Sequence, residues 1–305
     1  MAGRIAFLGT SDFAATVLRA LAVSQFRPEI VVAPPDRRRG RGQRPGPPPA
    51  AVAARGAGID LIQTADVNEP ETLERLRAAE LDVAVVCAFG QLIAEPLLSE
   101  TEMLNIHPSL LPRWRGAAPI ERAIMTGDAE TGVTIMRLTE GLDSGPIALQ
   151  QATPIEPGEG FEPLAARLAE LGAVLMLQAL ELHASGGLEL REQDDSAAIY
   201  AEKISRDERR LDPGRAAAEL ERVVRALVPH IGVYVELEGG DRLGVRRATA
   251  ADGELEAGVL SGDGGELRLG CADGVLRLEE VQPPGRRPMP ADAYLRGHDV
   301  PARAA

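Results

Sequence analysis

The stretch "LDVAVVCAFG", residues 81–90, restricts the fold of this 305-residue chain more than any other. From Val83 to Phe89 every residue is apolar. A strand with one wet face alternates, so an unbroken apolar run belongs inside a sheet covered on both sides, as parallel sheets are by their crossover helices. The neighbouring segments agree. "RIAFLG" (4–9) and "EIVVAP" (29–34) are further buried strands, "DLIQT" (60–64) and "MLNIHP" (103–108) follow, and 69–80 reads as a charged helix. After Gly9, one of Thr10, Ser11 and Asp12 caps a helix that runs to about Ala22. Strand–helix alternation of this kind predicts an α/β layer fold with a mostly parallel sheet.

Two later segments extend the pattern. "GVTIMRLT" (132–139) alternates, which predicts a half-exposed strand. Phe161, Leu164, Leu168, Leu171, Leu175, Ala179 and Leu182 recur at steps of three or four and form one face of a long helix. Beyond "HASGGLEL" the chain becomes charged and weakly periodic, in the manner of a tether. A helix over 215–229 and short alternating runs between GG and DG turns then predict a small β-barrel. Two domains suit the length.

Asn105 and His107 lie two apart on a strand, so both side chains share one face near its carboxyl end. Open α/β sheets bind ligands at that end. A carboxamide can donate to a developing oxyanion, and an imidazole can donate or exchange a proton near neutral pH. Asp143, in the "GLDSG" turn (141–145), is a carboxylate suited to orienting an imidazole. His183, His230 and His298 read as structural or surface residues. Cys87 lies inside the apolar run and is no nucleophile. It is far from Cys271 and neither belongs to a CxxC pair, so no metal cluster and a reduced compartment are expected. The opening apolar run is too short for a signal-peptide core, and no later run approaches the ~18 residues of a membrane helix.

The net charge is −13, so an anionic partner must be met by a local basic patch. One exists: "DRRRGRGQRPGPPP" (36–49) holds Arg37, Arg38, Arg39, Arg41 and Arg44 against a single acid, Asp36. It is expected to be a loop that is mobile until a polyanion orders it.

These residues also resemble a known family. "NIHPSLLPRWRGAAPI" (105–120), "GDAETGVTIMRLTEGLDSGPI" (127–147), "FLGTSDFA" (7–14), "PDRRRGRG" (35–42) and "YAEKIS" (200–205) are together similar to the folate-dependent formyltransferases, in particular those that act on charged initiator tRNA. The resemblance implies a Rossmann-like catalytic domain over 1–189, a linker over 190–207 and an OB-like, tRNA-binding barrel over 208–305. It implies that a formyl group passes from 10-formyltetrahydrofolate, a co-substrate, to the amino group of methionine on initiator tRNA. The enzyme would be a cytoplasmic monomer that uses no metal and no membrane. Asn105, His107 and Asp143 fall on the family's catalytic positions. Ser109, Leu110, Leu111, Pro112 and Gly90 would border the folate, with Trp114 and the RGAAPI segment bracing that wall. Arg37, Arg38, Arg39, Arg41, Arg44 and Lys203 would meet the tRNA, Arg41 foremost. Formyltransferases of amino-sugar nucleotides share the central motif, but a small sugar nucleotide does not require the arginine stretch. A tRNA-binding module without catalysis is opposed by the filled catalytic positions.

Overall fold

The structure, a computed structural model, describes residues 3–39, 44–300 and 303–304. The chain divides into two compact units. One comprises Met1–Gly116, Thr131–Pro154 and Ala165–Tyr200, and the other Ala117–Glu130, Ile155–Leu164 and Ala201–Ala305.

In chain order the first elements are β1 (Ile5–Gly9), α1 (Asp12–Ala22), β2 (Ile30–Ala33), β3 (Arg37–Arg39), β4 (Arg44–Gly46), α2 (Pro49–Ala57), β5 (Asp60–Gln63), α3 (Pro70–Ala78) and β6 (Val83–Cys87). Then come α4 (Leu97–Glu100), β7 (Met103–His107), β8 (Arg113–Gly116), α5 (Pro119–Thr126), β9 (Glu130–Arg137), β10 (Ile147–Pro154) and α6 (Phe161–Ala184). Seven strands build one sheet in the order β10-β9-β7-β6-β1-β2-β5. β1 is parallel to both β2 and β6, and β5 and β7 extend the parallel set on either side. β1, β2, β6 and β7 are buried along their whole length, as the apolar runs require. Ser11 is the cap of α1, its Oγ accepting from Ala14 N at 3.3 Å.

β9 runs antiparallel to β7, setting Asn105 opposite Met136 and His107 opposite Thr134. Its alternation predicts one exposed face, yet every residue between its two ends is buried. The polar positions are covered because the chain folds back over them. Thr134 Oγ1 donates to Ser109 O at 2.7 Å and accepts from Leu111 N at 3.2 Å, so its hydroxyl is satisfied away from water.

Contrary to the expectation that no run approaches the length of a membrane helix, α6 is long and apolar enough by length and composition alone to cross a membrane, and half of that stretch is buried in the protein. Leu168, Leu175, Met176, Ala179 and Leu180 are buried, close to the face that the spacing predicts. Leu171 and Leu182 are only half-buried, and Gly172 takes the innermost place between them. A Cβ at Gly172 would stand 3.0 Å from Ile106 Cγ2 and 3.6 Å from Val133 Cγ1, so the helix lies on the sheet directly behind the residue between Asn105 and His107. Gly172→Ala gains about 1 kcal/mol of helix propensity, which the tight contact offsets. Gly172→Val adds branching where nothing can yield cheaply, and is expected to destabilise the unit by about 1–3 kcal/mol in thermal denaturation.

The described part of the arginine stretch pairs with itself. β3 and β4 pair antiparallel, with Arg37 opposite Gly46, Arg38 opposite Pro45 and Arg39 opposite Arg44. Asp36 at its base accepts from Gln63 Nε2 at 2.9 Å. A chain that reverses direction over so few residues can satisfy its backbone by pairing with itself. Arg41 lies outside the described residues.

In the second unit, α7 (Ala217–Leu227) covers a curled antiparallel sheet whose apolar side chains include Leu243, Val245, Leu267, Leu269, Leu276 and Leu278. Its strands follow β11 (Ile199–Ala201) in the chain and are β12 (Val233–Glu236), β13 (Arg242–Ala251), β14 (Leu260–Ser261), β15 (Leu267–Gly270), β16 (Val275–Gln282) and β17 (Met289–Pro290). The order is β12-β13-β16-β15-β14, with β17 beside β16. Arg303 bridges Val259 and Ala304 bridges Leu237, so two residues link the edge beyond β14 to the edge beyond β12. The alternating runs thus form the barrel-like second layer that their spacing predicts.

Candidate active site

β7 brings Asn105 and His107 onto one side of the sheet, and both are buried, at 8% and 4% exposure. Ile106 between them faces α6. Asp143 arrives less directly. β9 ends beside the start of β7, with Arg137 opposite Leu104, three residues or about 10 Å short of His107. The 139–145 loop therefore has to double back along the sheet. Gly145 permits this: a Cβ there would sit 1.9 Å from Arg137 O. Asp143 itself takes a left-handed backbone, φ +46°, which few non-glycine residues adopt.

The geometry joins the three residues through β8. His107 Nδ1 stands 3.6 Å from Asp143 Oδ2, and Nε2 lies 2.8 Å from Trp114 O. A carbonyl oxygen only accepts, so Nε2 carries a hydrogen and Nδ1 is the ring atom left to respond to Asp143. At 3.6 Å that pair is longer than a hydrogen bond. Asp143 Oδ2 accepts instead from Gly116 N at 2.9 Å. Trp114, at φ +65°, and Gly116, at φ +116°, turn the backbone so that one offers its carbonyl and the other its amide to the site. The tryptophan ring is buried, with the Arg113 guanidinium 4.4 Å from its centroid. Sequence reasoning assigns Trp114 a bracing role but gives no sign of its carbonyl, because a backbone acceptor has no side-chain signature.

Among the proposed folate residues, the Ser109–Pro112 turn is held from beneath. Ser109 is fully buried and its Oγ donates to Arg113 O at 2.7 Å. Gln150 Nε2 donates to Leu111 O at 2.9 Å. Leu111 packs into a small core cluster with Met136 and Ile147, so its side chain faces inward. Leu110 and Pro112 are half-buried, and Leu110 lies against Gly132 of β9, where an added Cβ would stand 2.5 Å from Leu110 Cδ2. Gly90 is exposed at φ +75° with open space where a Cβ would be, at the carboxyl end of β6 next to β7. Arg37 is exposed on β3, and Lys203 is exposed in the second unit.

One residue of this region, Gln193, carries no sequence signal of its own; its partner is Arg115, the first residue of the RGAAPI segment expected to brace the wall. Gln193 Nε2 donates to Asp143 O at 2.9 Å and to Gly145 O at 2.7 Å. Arg115, 3% exposed, donates to Gln193 Oε1 and to Asp195 Oδ1. The segment read as a tether is thereby hydrogen-bonded over its first part, where Arg191 also exchanges two backbone bonds with Ile147 and Ile199 N donates to Pro112 O. Burial pushes the Cys87 thiol well above its ordinary range, and Cys271 is raised to about 11 for the same reason; neither is a nucleophile near neutral pH. Among the described residues no group of His, Cys, Asp and Glu could hold a metal ion.

The class of protein follows from the family matches, with which the parallel-rich sheet and the separate curled antiparallel unit agree: the chain is a formyl transferase. Residues 3–180 match the formyl transferase family and residues 203–299 match the formyl transferase C-terminal domain. A methionyl-tRNA formyltransferase of Paracoccus denitrificans is 41% identical over 303 residues, covering 98% of this chain and 99% of its own. That of Thermus thermophilus is 44% identical, covering 97% of each. The chain belongs to the methionyl-tRNA formyltransferase family. Among solved structures, the fold is also that of HypX from Aquifex aeolicus in complex with tetrahydrofolic acid, at TM-score 0.66 and 17% identity over 97% of this chain and 47% of that one. The sugar 3N-formyl transferase WlaRD matches at TM-score 0.65 and 16% identity, over 94% and 100%.

Proposed function

We propose that this enzyme transfers the formyl group of 10-formyltetrahydrofolate to the amino group of methionine carried by initiator tRNA, acting as a cytoplasmic monomer without a metal. The observation that carries the reading is likeness over nearly the whole chain to methionyl-tRNA formyltransferases, together with a site of matching chemistry. The folate supplies an activated formyl carbon. Asn105 keeps a carboxamide that makes no side-chain hydrogen bond among the described residues, so its N–H is available to the negative charge that gathers on the formyl oxygen. His107, anchored at Nε2 by Trp114, has Nδ1 for the proton released as the amine becomes an amide, Asp143 stabilises the ring that holds it, and N10 of the folate takes up a proton as its bond to the formyl carbon breaks and tetrahydrofolate leaves. Leu110 and Pro112 offer an apolar wall to the folate, and Gly90 allows close approach of backbone to its pterin. The basic hairpin meets RNA phosphates with Lys203, while the 208–305 domain supports the tRNA.

The test is turnover of purified protein on charged initiator tRNA beside a panel of amino-sugar nucleotides, with 10-formyltetrahydrofolate as donor. Formyl-methionyl-tRNA is the expected product. Formylation of a sugar amine with none on the tRNA overturns the reading.

A further inference from the structure

We propose that Gln193 is a positioning residue for the reaction, fixing the turn that presents Asp143; the proposal rests on the formyl-transfer reading above. The orientation of its amide is settled by its partners. Arg115 reaches Gln193 Oε1 with Nε at 3.0 Å and Nη2 at 2.8 Å, and a guanidinium only donates. The NH₂ group must therefore face away from Arg115. There it spends both hydrogens on two carbonyls of one turn, those of Asp143 and Gly145, at 2.9 and 2.7 Å.

This arrangement acts on a strained point. Asp143 at φ +46° sits in a region that costs an L-residue on the order of 1 kcal/mol or more, and such residues persist where surrounding structure holds them. Gly116 N holds the carboxylate at one end, and Gln193 holds the backbone at the other. Both holds originate on β8, because Arg115 lies between Trp114, which anchors His107, and Gly116, which anchors Asp143. Arg115 is itself buried and fixed by Asp195, at 2.7 Å. Gln193 thus acts on the 3.6 Å separation of His107 Nδ1 from Asp143 Oδ2 through the backbone alone, touching neither group's reactive atoms.

Gln193→Glu isolates the effect. It keeps, and charges, the contact with Arg115, but sets an acceptor oxygen against two carbonyl oxygens and so pushes the Asp143 turn away. A misplacement of about 1 Å costs on the order of a hundredfold in rate, so kcat is expected to fall ten- to a hundredfold with KM for folate and tRNA within about twofold. The ring ¹⁵N resonances of His107, assigned with a His107→Gln variant, are expected to move in the ligand-free protein. A kcat within twofold of the parent, or unmoved His107 resonances, overturns the proposal. Gln193→Met, uncharged and similar in size, carries the same test should the Glu variant not fold. If the parent itself fails to formylate tRNA, the functional reading falls, while the resonance shift still decides whether Gln193 sets the His107–Asp143 contact.

Discussion

Asn105→Asp is expected to leave the protein folded and to lower formyl transfer by about two to three powers of ten, the loss typical of removing one oxyanion donor. The substitution is isosteric. It turns the one free N–H donor on β7 into an acceptor and places a charge where negative charge must develop. Its melting temperature should fall, because the new carboxylate is buried without a partner, so Asn105→Ala, which loses no side-chain hydrogen bond among the described residues, serves as the control for stability. His107→Ala is the less clean experiment, since it also strips the buried Trp114 carbonyl of its donor, at about 1–3 kcal/mol. His107→Gln, which can still donate to that carbonyl, should separate the two effects by restoring stability without restoring rate. Single-turnover formylation with saturating tRNA, read beside thermal denaturation, checks all of them. A near-parental rate in either Asn105→Asp or His107→Gln removes that residue from the mechanism.

Replacing Arg37, Arg38, Arg39, Arg41 and Arg44 together is expected to weaken tRNA binding and to flatten its salt dependence. β2 and β7 run parallel, three strand spacings or about 14 Å apart, so the hairpin that follows β2 leaves the sheet at the same end as His107. Each arginine that neutralises a phosphate of duplex nucleic acid contributes about 0.9 to the slope of log affinity against log salt. The fivefold variant should therefore lose up to about 4.5 in slope, and at low salt about tenfold or more in affinity. Folate binding should be untouched, and Arg41→Ala alone should account for a large share of the lost formylation. Filter binding of initiator tRNA across a salt series measures the slope, and an unchanged slope would leave the hairpin only a solvated connection. The net charge of −13 makes the effect larger, since the rest of the surface repels the same ligand.

How much of this was legible in the sequence depends on what kind of group carries each feature. The parallel strands were legible because burial on two faces leaves no polar residue in β1, β2 or β6. Asn105 and His107 were legible for a related reason: polar side chains two apart at the end of an apolar strand are costly unless used. β9 misleads because threonine reads as polar in an alternating pattern, yet its hydroxyl can be satisfied by a turn 23 residues away. The hairpin was hidden by glycine and proline, which signal a turn without saying whether its arms pair. Gln193 was hidden because a lone glutamine resembles a solvated surface residue, and Arg115, legible as part of the bracing RGAAPI segment, gives no sign of the partner it holds. Only their convergence on one turn distinguishes them.

His107, Trp114, Gly116 and Asp143 close a ring: side chain to carbonyl, along the backbone to an amide, to a carboxylate, and across 3.6 Å back to the imidazole. A closed linkage does not divide its free energy among its members. The first substitution in it opens the ring and takes most of the loss, and a second then removes a contact that has already gone slack. Double-mutant cycles among these positions should therefore fall well short of additivity, with coupling of roughly 0.5–3 kcal/mol. Asn105, which stands outside the ring, should couple less strongly to Gly116 and Asp143 than those two couple to each other.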